Sequence, residues 1–154
     1  MKTILLISEK TLKSNTLIDD NVDGKFIVQA IKDAQIFLRD SINNNVYDRI
    51  CKGVEENNLT NEERELLDNY IQPYLCYKVM STICIPLSYK FRNTGVVQNV
   101  EQHFQQSSSM KDLTYVAKHY STMADTYLSK IKLFTGEDDN CTNAVNNGPI
   151  FFRK

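Results

Sequence analysis

The chain has 154 residues, 42% of them hydrophobic and 24% charged, the balance of a folded domain rather than a disordered segment. Its net charge of −1 argues against a nucleic-acid binder that draws affinity from neutralising phosphates, although a near-neutral protein can surround DNA without gripping it. Five Gly and three Pro leave room for long helices, and eight Tyr and seven Phe supply large apolar area where Trp is absent.

In chain order, residues 1–20 read as an N-terminal arm. The apolar run Ile4–Ile7 is followed at once by Glu9 and Lys10, too short for the ~7–15-residue core of a signal peptide. No stretch approaches the roughly 18 apolar residues of a membrane span, so a soluble protein of a cytoplasm-like compartment is expected. Ser8 is a good N-cap for about one turn of helix, ended by Ser14-Asn15-Thr16. Asn21 or Asp23 then caps an amphipathic helix. Ile27, Ala30, Ile31, Ala34 and Leu38 recur on one face, Phe37 widens the stripe, and the helix ends near Arg39–Ser41. A shorter helix is expected over Val46–Glu56, with Gly53 inside it.

Thr60-Asn61-Glu62-Glu63 is a capping box, and it opens the longest apolar pattern in the chain. The helix is expected to reach Ser81–Ile85. Leu67, Ile71, Leu75 and Val79 form one row and Leu66, Tyr70, Tyr74 and Tyr77 its neighbour, so the helix is apolar around most of its circumference and central. Pro73 removes the N–H that would bond Asn69, which predicts a kink near Asn69–Tyr70, and Pro86 is expected to end the helix. Between Asp68 and Lys90 the sole charge is Lys78, whose long stem lets it snorkel to solvent; the other reading is an ion pair with a neighbouring subunit.

Leu87–Phe91 and Val96–Val100 flank Arg92-Asn93-Thr94-Gly95 and read as a β-hairpin. After the polar run Glu101–Ser108, Ser109 caps a last helix. Its expected buried side carries Tyr115, Val116, Tyr120, Met123, Ala124, Tyr127, Leu128 and Ile131, and it ends by Gly136. The remainder is rich in Asn and Asp and closes on Pro149-Ile150-Phe151-Phe152-Arg153-Lys154. Such an apolar plug on a polar linker either folds back on its own core or inserts into a neighbour. The expected organisation is a helical domain over 1–136, with its hairpin at about 87–100, and an extended tail over 137–154.

Catalytic and metal-binding patterns are missing from the sequence. There is no GxSxG elbow and no Gly-rich phosphate loop, the glycines being scattered. Cys51, Cys76, Cys84 and Cys141 form no CxxC pair, and neither His103 nor His119 stands at zinc-site spacing from them. They read as small buried thiols. Glu137-Asp138-Asp139 lacks the alternating ligands of a calcium loop. Glu55-Glu56 and Glu62-Glu63-Glu65 lie at helix ends, where solvation and the helix dipole account for them, and His119 reads as a partly buried packing residue. No enzyme activity, cofactor or metal is expected; the chain reads as a mainly α structural protein.

Several motifs in order carry a resemblance. They are Ile7-Ser8-Glu9, Asn21-Val22-Asp23, Ala30-Ile31-Lys32-Asp33-Ala34-Gln35, Leu66-Leu67-Asp68-Asn69-Tyr70-Ile71-Gln72-Pro73-Tyr74-Leu75 and Ser88-Tyr89-Lys90-Phe91-Arg92-Asn93-Thr94-Gly95-Val96-Val97, followed by a Tyr-rich helix. Over about residues 4–134 the chain resembles the small head–tail connector (adaptor, head-completion) proteins of tailed bacteriophages, particularly those infecting Bacteroides-type hosts. The resemblance implies a helical bundle with a hairpin or long loop before its last helix. It also implies a homo-oligomeric ring, commonly twelve-fold, beneath the portal protein of the virion. There it continues the DNA channel without reading sequence and docks tail or further connector proteins, with no membrane and no catalysis. Ring closure needs one patch to match a different one on the next subunit. The residues expected at such subunit or partner contacts are Lys78, Lys90, Arg92, Val96 and Val97, with Ile150, Phe151 and Phe152 of the tail. The competing expectation is a helical interaction or regulatory module unconnected with virions.

Overall fold

The computed structural model describes residues 4–92, 95–98 and 110–137. The run Glu101–Ser108, the Ser109 cap, Cys141 and the tail from residue 138, including Ile150, Phe151 and Phe152, lie outside them. The chain is mainly α.

Ser8 accepts the Thr11 N–H and starts α1 (Glu9–Asn15), whose Leu12 is buried. Asp23 caps α2 (Gly24–Ser41), which turns Ile27, Ala30, Ile31, Ala34 and Leu38 inward as its periodicity requires. The same face buries a polar side chain, Gln35, at 2% exposure. Its Oε1 accepts the Leu6 N–H at 2.9 Å, while its Nε2 donates to Ile4 O at 2.9 Å and to Tyr47 Oη at 3.0 Å. One amide therefore holds the N-terminal arm, α2 and the next helix together.

α3 (Asn44–Glu56) begins at the Asn43 cap, two residues earlier than its apolar rows imply. Gly53 within it is buried, and a Cβ there would run into the Leu59 side chain. The capping box at Thr60 opens α4 (Asn61–Leu66) with both reciprocal hydrogen bonds made. Glu63 is not a solvated helix-end carboxylate, as its position in the sequence implied. It is 2% exposed, with Arg49 Nε at 2.8 Å, Arg49 Nη2 at 2.9 Å and the Thr60 N–H at 2.9 Å. A carboxylate removed from water needs such partners.

The expected kink at Asn69–Tyr70 takes the form of a π-helical turn over Leu67–Ile71, after which α5 runs from Gln72 to Ser88. The Gln72 N–H donates to Leu67 O, five residues back. A widened turn displaces the carbonyls that the Pro73 ring would otherwise strike, which lets a proline sit inside the helix. Pro86 does not end α5, which continues for two further residues. A proline forfeits one backbone hydrogen bond, and so close to a C-terminus few others depend on it. Consequently β1 starts at Tyr89 rather than Leu87. β1 (Tyr89–Arg92) pairs antiparallel with β2 (Gly95–Gln98) in the register Tyr89↔Gln98, Lys90↔Val97, Phe91↔Val96 and Arg92↔Gly95.

α6 (Met110–Thr135) packs along α5, and α5 packs on its other flank against α2. Tyr70 meets Phe134 and Tyr77 meets Tyr127, so α5 and α6 run antiparallel. Their shared core holds Leu66, Ile71, Tyr74, Leu75, Val79, Ala124 and Ile131, each large apolar side chain contributing about 1.5–3 kcal/mol by leaving water. The expected buried face of α6 extends too far toward its N-terminus: Tyr115 is 79% exposed and Val116 is exposed beside it. α6 ends at Gly136, whose φ of 74° is a conformation that suits glycine. The Glu137 N–H then closes on Lys132 O, and the Glu137 carboxylate accepts the Asn43 N–H at 3.0 Å.

Candidate docking groove

Three segments distant in sequence meet to form an open groove of about 760 Å³. One lip is the end of α1 and the bend that follows it, where Ile18 is buried and Leu17 is 86% exposed. The floor comes from the π-turn and the start of α5, with Asp68, Gln72, Pro73, Cys76 and Tyr77. The far wall is α6, through Tyr120 and Tyr127.

The wall is an aromatic row. Tyr77 stacks on Tyr127 with centroids 5.6 Å apart and on Tyr120 at 6.4 Å, their planes within 27° of parallel. Lys130 Nζ lies 4.8 Å from the Tyr127 centroid, a cation over the π face. His119, expected to be partly buried, is exposed and meets Tyr120 edge-on at 5.4 Å. At the floor, Gln72 Nε2 donates to Asp68 Oδ1 at 3.2 Å.

Among the described residues the groove lining offers one carboxylate, Asp68, and one thiol, Cys76, which burial pushes up to about 11 and so keeps protonated and poorly nucleophilic near neutrality. No group of three or more His, Cys, Asp or Glu that could hold a metal ion occurs among the described residues. Stacked rings around a proline, an exposed leucine and a few hydroxyls instead match surfaces that receive apolar or aromatic side chains.

A second, unlike surface lies on the α2 flank of α5. Ile36 is 58% and Phe37 47% exposed, so Phe37 extends an outer face rather than the core stripe. Lys78 Nζ sits 4.4 Å from the Phe37 ring centroid. Among the described residues no ion pair involves Lys78.

The other residues expected at contacts are dispersed. Lys90 and Arg92 fall on β1 and Val96 and Val97 on β2, with Lys90 opposite Val97. The sequence reading missed Leu17 and the grouping of Tyr77, Tyr120 and Tyr127 into one wall. A lone leucine after an Asn-Thr turn carries no periodic signal, and the tyrosines read as core positions.

No helix among the described residues is long and apolar enough to cross a membrane. No curated protein and no solved structure matches the chain. Residues 38–135 match a family of unknown function, DUF6712. That span covers well over half the chain and includes α3 to α6, with the floor and far wall of the groove inside it and the α1 lip outside. The chain belongs to the DUF6712 family.

Proposed function

We propose that this protein is a virion structural component, a head–tail connector that assembles as a ring beneath a phage portal, continues the DNA channel and docks tail proteins. The observation that carries this reading is the pair of unlike exposed surfaces on the two flanks of α5. One is the aromatic groove with Leu17, Tyr77, Tyr120 and Tyr127, and the other is the Ile36–Phe37–Lys78 face. A closed ring is a heterologous contact and needs unlike surfaces on each subunit, so the groove receives one element of a neighbour and the Ile36–Phe37–Lys78 face meets another. A net charge of −1 suits a channel lining that lets DNA slide. The order of motifs on α2, α5 and the paired strands supports the same reading by resemblance to connector proteins.

In this reading the finer architecture is a small helical bundle with a β-hairpin before its last helix and an extended C-terminal tail. The hairpin, with Lys90, Arg92, Val96 and Val97, and the tail with Ile150, Phe151 and Phe152 are the parts that bridge to a neighbour. The protein acts at the head–tail junction and as a structural element only, with no catalytic role.

The groove also favours a second reading, a helical interaction module that holds one apolar peptide outside any virion. Electron microscopy of the full chain with a phage portal protein separates the two. The connector reading expects a ring seated on the portal; a small oligomer that never joins the portal refutes it and favours the interaction module.

A further inference from the structure

We propose that the aromatic groove is a receptor for the C-terminal segment Pro149-Ile150-Phe151-Phe152 of a second copy of this chain. The match is chemical. The groove presents the half-buried Tyr77, Tyr120 and Tyr127 beside Pro73 and an 86% exposed Leu17, a surface that mixes ring faces with hydroxyls. The segment supplies Pro, Ile and two Phe in succession, the side chains that stack on such rings and cover such a leucine. Charge agrees as well: Arg153 and Lys154 follow the two phenylalanines, and exposed Asp68 stands at the groove floor.

Chain length also fits. The described chain ends at Glu137, whose carboxylate is tied to the Asn43 N–H at the junction of α2 and α3. From there the groove wall lies back along α6, Tyr120 being about 25 Å away at a helical rise of about 1.5 Å per residue. The twelve residues 138–149 span at most about 40 Å. They are polar, with Asp138, Asp139 and four Asn, a composition suited to crossing between subunits rather than to a core. The root at Asn43 lies at the end of α6 remote from Tyr120, a distance the linker spans, and the choice of an adjacent copy comes from the assembly reading. The inference rests on the assembly reading in one respect, that donor and acceptor are different copies.

The test uses the full chain with a photo-crosslinking phenylalanine analogue at position 151, prepared as equal parts isotopically heavy and light protein, crosslinked and mapped by mass spectrometry. The expected result is heavy–light crosslinks to peptides carrying Tyr77, Met80, Tyr120 or Tyr127. Leu17→Asp, which alters an exposed side chain and leaves the core intact, should lower their yield about tenfold. Crosslinks confined to one copy overturn the exchange between subunits. Crosslinks to the Ile36–Phe37 face, or none to the groove, overturn the receptor assignment. Native mass of the same samples reports ring closure separately, so a groove crosslinked between copies in an open or small oligomer sinks the ring and keeps the receptor.

Discussion

Gln35→Met isolates the contribution of one buried amide, because methionine occupies nearly the same volume and leaves no cavity. Three hydrogen bonds vanish with it. The Leu6 N–H, on a residue 4% exposed, is stranded away from water, at a cost of about 1–3 kcal/mol. The bonds to Ile4 O and Tyr47 Oη are partly accessible and can be replaced by water, so each is worth about 0.5–1.5 kcal/mol. The total is about 4 kcal/mol, enough to lower a urea midpoint by roughly 1 M or more at an unchanged slope. Far-ultraviolet circular dichroism in urea measures it. Gln29→Met serves as the control, since Gln29 is exposed and makes one bond to Asp33; it should cost under about 0.5 kcal/mol. Amide exchange at Leu6 should accelerate in the Gln35 variant alone, as the arm that leads to the groove lip loosens. Equal stabilities of the two variants would refute the reasoning.

Other consequences follow from single contacts. Arg49→Ala leaves the buried Glu63 carboxylate with the Thr60 N–H; allowing for the 35% exposure of the Arg49 side chain, chemical denaturation should show a loss of about 2–3 kcal/mol, against under about 0.5 for Lys52→Ala in its exposed pair with Glu56. Gly136→Ala forces alanine to a φ of 74° in open space and should cost about 1 kcal/mol by thermal or urea unfolding, with no loss of helix content. Burial pushes the Tyr47 and Tyr74 phenols up to about 12 from an ordinary value of 10. The unfolded chain therefore releases these protons first, so stability holds below pH 10 and falls as the pH rises toward 12; urea midpoints across that window check the sign, and a flat profile contradicts it.

Much of the helical frame is legible in the sequence, since it follows from local chemistry. The Ile27–Ala30–Ile31–Ala34–Leu38 stripe, the Thr60/Glu63 box and the glycine after α6 each depend on residues within a turn or two of one another. What escapes depends on partners far along the chain. Gln35 looks like any helix-surface residue until the arm and α3 come to it, and Glu63 looks solvated until Arg49, fourteen positions earlier, arrives. Proline rules name a place but not its resolution. Pro73 is accommodated by a π-turn, and Pro86 lies too near a helix end to stop it. Tyr115 and Val116 keep the helical period yet stay exposed, because periodicity assigns a face without saying how far the opposing element extends. The groove was illegible for the first reason: its lip, floor and wall come from residues near 17, 73 and 120, which no spacing rule connects.

The central claim, that this chain closes into a ring through unlike surfaces, is tested most directly by native mass spectrometry of the full chain over a range of concentrations, alone and with the portal protein. The account predicts one dominant assembly of fixed subunit number that persists on dilution, broken by Leu17→Asp on one face or Phe37→Asp on the other, and with no ladder of intermediate sizes. A monomer under both conditions, or an open series of growing oligomers, would contradict it.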